Sequence, residues 1–180
     1  MKKNIDFLNY GTVKHIKDLL RRVDEGKEPY AQGVCYPQAD DVEKVNRLVI
    51  SIFNGQTSKE DLGRILNVTL RQVDYYGNAA VYLGFLQTNR GQFQLTELGK
   101  KFAQYDKKQR ENLLIEQFFK IPSIRKVFRQ LLPLTLDINL VMDSMARAQV
   151  NLNTKKMQRR RAQTIHAWVN WALENMEKTI

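Results

Sequence analysis

The chain has 180 residues, of which 43% are hydrophobic, and 29 basic against 19 acidic side chains give a formal net charge of +10. A single cysteine excludes an internal disulfide, and two histidines far apart in sequence argue against a structural zinc site. Since no apolar run is long enough to span a membrane and no apolar signal segment follows Met1, we expect an intracellular, cytoplasmic protein with a polyanionic partner and no membrane contact.

The first predicted element is a helix from Thr12 to Glu25, capped by Thr12 and ended by Gly26. Its apolar stripe consists of Val13, Ile16, Leu19, Leu20 and Val23. Residues 1–29 offer this stripe no partner of their own. We therefore expect the segment either to dock on the domain that follows or to contact another protein, for example as a homodimer.

Residues 30–106 are predicted to form a winged helix-turn-helix domain. Pro29–Asp41 is too apolar for a free linker, and Asp40 or Asp41 caps a helix over Val42–Phe53. A short helix follows, capped by Thr57 or Ser58 and broken by Asn67. The second helix of the pair is capped by Thr69, runs from Leu70 to Leu83 and stops at Gly84.

The outward face of that second helix is predicted to enter a major groove and to read bases. An arginine suits guanine, an asparagine suits adenine, and an aspartate accepts from cytosine or orients the arginine, provided that a cation offsets its repulsion from phosphates. A solvated face or a protein-contact face is the alternative interpretation. The arc contains Arg71, Asp74, Tyr75, Asn78 and Tyr82, with Gln72 as a further candidate.

A β-hairpin wing is predicted next, with strands over Phe85–Thr88 and Phe93–Thr96. The wing candidates for DNA contact are Asn89, Arg90 and Gln92. Another helix then begins at Thr96, and its apolar residues are expected to cover the underside of the wing. The fold is thus predicted to be mainly α with one small hairpin.

Residues 107–180 are predicted to be entirely helical and to resemble a second helix-turn-helix without a hairpin. The helices are expected over Lys107–Lys120, from Pro122 to Pro133, over Asp137–Ala148 and from Thr154 onward. Most of the positive charge lies in this half. Residues 100–180 carry 16 basic and seven acidic side chains, whereas residues 31–99 carry six and seven.

The last helix has a basic face and an apolar face. The residues predicted to contact phosphates or the groove are Thr154, Lys155, Lys156, Arg159, Arg160 and Gln163. The predicted core side comprises Met157, Ile165, Trp168, Val169, Ala172 and Met176. Membrane-surface or calmodulin-type binding is an alternative, but the two tryptophans favour packing. Arg161 falls within the apolar arc, so it needs a carboxylate partner or a position at the helix edge.

The sequence offers no recognisable catalytic constellation. It contains no glycine-rich phosphate loop, no nucleophile elbow and no histidine-based motif, and too little sheet is predicted for a metal-dependent nuclease core. Capping explains the cluster of Asp40, Asp41 and Glu43 more simply than metal binding does. We expect neither enzyme activity in this chain alone nor a bound cofactor or metal.

Five runs of sequence resemble the winged-helix modules attached to type II restriction systems. They are Tyr30–Asp41, Arg71–Tyr76, Tyr82–Leu86, Leu95–Gly99 and Arg159–Trp168. The resemblance covers roughly residues 30–175 and implies that the chain reads a double-stranded DNA target for a nuclease domain or subunit. Because no nuclease domain is recognisable here, a separate recognition subunit, an excised domain and a regulator remain alternatives.

The functional prediction is sequence-specific binding of double-stranded DNA in a restriction or defence system. A winged-helix transcriptional regulator is the first alternative, and it would act as a symmetric dimer on a palindromic site. A protein-interaction adaptor without DNA readout is the second, since residues 31–99 are nearly neutral.

Overall fold

The computed structural model describes residues 8–132 and 136–177. Within these ranges the protein is mainly helical, with nine α-helices, a 3-10 helix at Pro29–Gln32 and one two-stranded antiparallel sheet. The elements are α1 (Tyr10–Arg22), α2 (Val42–Phe53), α3 (Lys59–Leu66), α4 (Leu70–Tyr82), β1 (Leu86–Asn89), β2 (Gln92–Leu95), α5 (Glu97–Gln104), α6 (Lys107–Lys120), α7 (Pro122–Gln130), α8 (Ile138–Arg147) and α9 (Lys155–Glu177). The predicted stop at Pro133 lies outside the described residues.

Helix α1 begins and ends earlier than the sequence predicts. Asn9 is its N-cap, because the Asn9 Oδ1 atom accepts a hydrogen bond from the Thr12 backbone N–H at 2.8 Å. The predicted cap, Thr12, instead lies fully buried inside the first turn. At the other end the chain leaves the helix at Val23, which has extended backbone angles. The predicted cap at Thr12 and end at Glu25 are therefore wrong.

Helix α1 packs chiefly against α6, α7 and α9. The prediction that α1 docks on residues 30–106 is wrong, because its main partners lie in the other half of the chain. A contact with another protein stays a prediction. The buried Arg125 of α7 secures the contact by donating to the carbonyl oxygens of Leu20 and Val23, each at 2.6 Å, and of Phe119 at 2.9 Å. Arg125 thereby satisfies carbonyls at the C-terminal ends of both α1 and α6, which have no partner within their own helices.

Helices α2, α3 and α4 form where the capping residues predict them. Asp41 caps α2 and Ser58 caps α3, and Asn67 ends α3 in the left-handed conformation with φ 52°. Thr69 and Gln72 form a reciprocal capping box at the start of α4. The apolar faces of the three helices contact one another and build the core beneath α4.

The strands of the hairpin lie one residue nearer its turn than predicted. Arg90 and Gly91 form a two-residue turn with φ 49° and 79°, so Asn89 pairs with Gln92 within the strands. Phe85 and Thr96 fall outside the strands, and Phe85 is buried in the core. Gly77 of α4 allows this sheet to pack closely, because a Cβ atom there would overlap the Phe93 ring of β2. The hairpin is therefore fixed against α4.

The second half contains the helices expected from its sequence, and both halves share one hydrophobic core. Trp168 of α9 is fully buried and stacks on Phe118 of α6, with ring centroids 5.5 Å apart. The predicted core position Met157 is wrong, since its side chain is 37% exposed. Met157 lies in the first turn of α9, before the helix reaches the core.

A buried polar cluster joins the two halves at the end of α4. The Glu28 carboxylate accepts from the Tyr82 hydroxyl and from the Ser123 N–H at 2.9 Å, and the Tyr36 hydroxyl donates to Ser123 Oγ at 3.0 Å. Burial raises the pKa of Tyr82, so its phenol remains a hydrogen-bond donor. Glu28 also caps the N-terminus of α7, whose own N-cap residue, Ile121, provides no side-chain hydrogen bond.

Candidate nucleic-acid interface

The outward face of α4 presents a stacked arginine and tyrosine. The Arg71 guanidinium lies over the Tyr75 ring, 5.6 Å from its centroid, as expected for residues one helical turn apart. Arg71 is exposed and Tyr75 is half-buried. The pair therefore holds a cation and an aromatic edge in a fixed relation on the surface.

Asp74 on the same face is paired with a cation. Its Oδ1 atom lies 2.6 Å from Lys59 Nζ on α3, so the carboxylate pairs across the two helices with Lys59 and does not orient Arg71. A paired carboxylate is the arrangement that tolerates nearby phosphates, because the lysine offsets the repulsion.

The remaining predicted base readers on α4 differ in their availability. Asn78 is half-buried, and Gln72 is exposed, but the Gln72 Oε1 atom accepts from the Thr69 N–H at 3.0 Å as part of the capping box. The predicted outward position of Tyr82 is wrong. Its side chain is 2% exposed, and its hydroxyl donates a hydrogen bond to Glu28. The accessible α4 face thus consists of Arg71, Asp74, Tyr75 and, in part, Asn78.

The hairpin presents its three predicted contact residues to solvent. Asn89, Arg90 and Gln92 are all exposed at the turn, and Asn89 Nδ2 lies 3.5 Å from Gln94 Oε1. Because Arg90 occupies the left-handed region, the turn holds this side chain at the tip of the hairpin.

The first turns of α9 carry an exposed group of cations, here called the α9 basic face. Its residues are Lys155, Lys156, Arg159, Arg160 and Gln163. Within the described residues none of its four cations forms an ion pair. The Thr154 hydroxyl caps the helix by accepting from the Met157 N–H at 3.1 Å. Thr154 therefore serves the helix start, and the four cations of the face are exposed to solvent.

A polar cleft of about 190 Å³, here called the α4–α9 cleft, links the faces of α4 and α9. It is lined by Gln38, Asp40, Tyr75, Arg160, Arg161, Gln163 and Thr164. Burial and the adjacent Arg160 guanidinium lower the pKa of Arg161, which is half-buried at the helix edge. The cleft brings predicted residues of both helices to one place on the surface.

Two tryptophans fix α9 against the segment that precedes α2 and against the first turn of α2. Trp168 Nε1 donates to the Ala39 carbonyl at 2.8 Å, and Trp171 Nε1 donates to Glu43 Oε1 at 3.0 Å. Farther along, the Tyr30 hydroxyl donates to the Asn151 carbonyl at 2.8 Å, just before α9. These bonds hold the walls of the α4–α9 cleft in a defined geometry.

A family model matches residues 44–177, which is most of the chain and includes every helix from α3 to α9. The chain belongs to the DUF7226 family. That family is described as a domain of unknown function. No curated protein and no solved structure matches the chain. In this DUF7226 chain the matched region contains both the α4 face and the α9 basic face.

Residues 8–132 and 136–177 contain neither a membrane-spanning helix nor a candidate metal site. None of the helices there is long and apolar enough to cross a membrane. Nor do these residues contain a group of three or more His, Cys, Asp or Glu side chains that could hold a metal ion.

Sequence reasoning missed four residues of the cleft as members of a site: Gln38, Asp40, Arg161 and Thr164. The one available signal was Arg161, a cation within an apolar arc. It occupies the helix edge, one of the two positions that the sequence allowed, and no carboxylate in the described residues pairs with it. Gln38 and Thr164 gave no signal, since polar residues at such positions are ordinary.

Proposed function

We propose that this DUF7226 protein binds double-stranded DNA, with α4 reading bases and α9 gripping the phosphate backbone. The observation that carries this proposal is the α4–α9 cleft, because it joins the stacked Arg71 and Tyr75 face to the unpaired cations of α9. Base-edge contacts specify a sequence, whereas cations on phosphates supply affinity. A surface that offers both base-edge contacts and cations for phosphates can recognise a DNA duplex.

The order of elements supports assigning α2 to α5 and the hairpin to a winged helix-turn-helix. Helix α3, the turn at Asn67, helix α4 and the hairpin follow one another with the lengths that this module uses. In such a module α4 lies in the major groove and the hairpin lies beside it. The Lys59 and Asp74 pair is consistent with this docking because it removes an unpaired carboxylate from the groove.

Target recognition for a restriction or defence nuclease is the biological role that we propose for this binding. It rests on the resemblance of the five sequence runs to restriction-associated winged-helix modules. The role requires a nuclease domain or subunit as partner, and it requires that binding be specific for sequence.

Specific readout is tested by selecting bound duplexes from a randomised pool and measuring the affinity for the enriched sequence by fluorescence anisotropy. We expect an enriched sequence, and we expect Arg71→Ala and Asn78→Ala each to weaken its binding by about 1 to 3 kcal/mol. The matched controls, Arg129→Ala and Asn139→Ala, change exposed residues of α7 and α8 and should leave affinity unchanged. A pool without enrichment would refute sequence-specific recognition.

An adaptor function is the second candidate, and exposed apolar side chains near α4 favour it. Leu70 is 48% exposed and Ile65 is 37% exposed, next to a surface cleft formed by α3, the turn and the start of α4. Apolar exposure of this kind is common at protein interfaces. If the adaptor function were correct, Leu70→Ser would abolish partner capture in a pull-down, and Arg71→Ala would leave the affinity for DNA unchanged.

A further inference from the structure

The α4–α9 cleft is lined mostly by side chains that can donate hydrogen bonds. The donor groups are the guanidinium groups of Arg160 and Arg161, the amides of Gln38 and Gln163, and the hydroxyls of Tyr75 and Thr164. Asp40 provides the one carboxylate of the lining. A cavity with two cations, one anion and several neutral donors has the composition of an anion site.

Of the two arginines in the cleft, Arg161 has the less favourable environment. It is half-buried next to a second arginine, and burial followed by Arg160 lowers its pKa. Although Asp40 also lines the cleft, no ion pair joins it to Arg161. A partly desolvated cation without a carboxylate partner costs free energy, and a bound anion would offset that cost.

We propose that the α4–α9 cleft holds one backbone phosphate of duplex DNA, with Arg161 as its principal ligand. The proposal rests on the proposed function, and it adds a phosphate site that shares Arg160 and Gln163 with the α9 basic face but has Arg161 as a further ligand. The planar guanidinium of an arginine matches two oxygens of a phosphate, and Arg160 adds a second positive charge. A phosphate held here touches both helices and so sets the register of α4 on the duplex.

Because of Asp40, we expect the cleft to favour a phosphate of a duplex that α4 and α9 already bind over a free phosphate ion. Its carboxylate repels any anion that enters, so a free phosphate gains little from the site. A duplex bound through α4 and α9 brings its phosphate in at a high local concentration. Removing the carboxylate charge should therefore strengthen binding, whereas removing the Arg161 charge should weaken it.

The experiment measures the affinity of the full chain for a labelled random-sequence duplex by fluorescence anisotropy across a salt series. We expect Arg161→Gln to weaken binding about tenfold and to reduce the salt slope by about one unit, as the loss of one phosphate contact predicts. Asp40→Asn should tighten binding, and it spares Asp41, the N-cap of α2. Arg129→Gln, which removes one exposed arginine of α7, is the matched control and should alter neither quantity.

The possible outcomes distinguish an error in the cleft proposal from an error in the proposed function. Equal affinities for Arg161→Gln and Arg129→Gln, or weaker binding by Asp40→Asn, would overturn the cleft proposal while leaving duplex binding intact. A wild-type protein that binds no duplex would overturn the proposed function and the cleft proposal together. If inorganic phosphate raised the thermal midpoint of the wild type but Arg161→Gln left duplex affinity unchanged, the site would belong to free phosphate and the proposal would fail.

Discussion

At the scale of single residues, Arg90 has a backbone conformation that lowers stability and places its side chain at the tip of the hairpin. It adopts φ 49° in a turn where asparagine and glycine are the usual residues. A non-glycine residue in the left-handed region costs on the order of 1 kcal/mol, and asparagine tolerates that region best. We therefore expect the exposed guanidinium group of Arg90 to have a function that offsets this cost in stability.

Arg90→Asn should therefore raise the free energy of unfolding by up to about 1 kcal/mol and weaken duplex binding. Urea denaturation measures the first quantity, and fluorescence anisotropy measures the second. The same substitution at the exposed Arg47 of α2 is the control, and it should not stabilise, since asparagine is a poorer helix former than arginine. Unchanged duplex affinity of Arg90→Asn would exclude the hairpin tip from the interface.

The buried cluster around Glu28 makes a second residue-scale prediction. Tyr82→Phe removes a donor from the Glu28 carboxylate, whereas Tyr36→Phe removes a donor from the Ser123 hydroxyl. Since hydrogen bonds to charged groups are worth about twice as much as neutral ones, we expect losses of about 2 and 1 kcal/mol in the free energy of unfolding. Urea denaturation of both variants measures them, and equal losses would mean that the Tyr82 bond is an ordinary neutral one.

Helical periodicity could not predict the location of either Tyr82 or Met157. The helical wheel places Tyr82 on the polar arc of α4 together with Arg71 and Tyr75, yet Glu28, 54 residues away in sequence, makes it a buried donor. Met157 fell on the apolar arc of α9, yet it precedes the part of the helix that meets the core. In both cases a tertiary contact, or its absence, decides burial.

At the scale of elements, capping residues predict where helices α3 and α4 begin. Contacts with other elements decide where helix α1 ends. Ser58 and Thr69 start α3 and α4 as their residue types predict. Helix α1, however, ends at Arg22, and Arg125 donates a hydrogen bond to the Leu20 carbonyl in its last turn. No residue near Arg22 in sequence predicts that end. The strands of the hairpin lie one residue nearer the turn than predicted, because two left-handed residues, Arg90 and Gly91, suffice for that turn.

The attachment of α1 should depend on Arg125. Arg125→Met leaves three backbone carbonyls without their donor, so we expect a loss of about 3 kcal/mol or more in the free energy of unfolding and faster trypsin cleavage within α1. Arg125→Lys should rescue little, since one ammonium cannot reproduce the geometry of the guanidinium. Rescue by lysine to wild-type stability would show that charge alone holds the helix.

At the scale of the whole molecule, most of the positive charge and the proposed base-reading residues lie in different halves of the chain. The sequence predicts both positions, because charge counts and helical faces depend only on local residues. It could not show that the two faces meet, since contacts such as Trp168 with Ala39 join residues 129 positions apart. The shared core and the α4–α9 cleft depend on those long-range contacts.

The most direct test of the account is the salt dependence of duplex binding by the wild type and by a variant with Lys155, Lys156, Arg159 and Arg160 changed to alanine. Anisotropy with a random-sequence duplex should give a slope of log affinity against log salt of about −4 or steeper, reduced by about one unit per charge removed. A control variant changing the exposed Lys14, Lys17, Lys100 and Lys120 to alanine should retain the wild-type slope. Binding that is absent or insensitive to salt, or a slope that falls equally in both variants, would contradict a duplex-binding surface on α9.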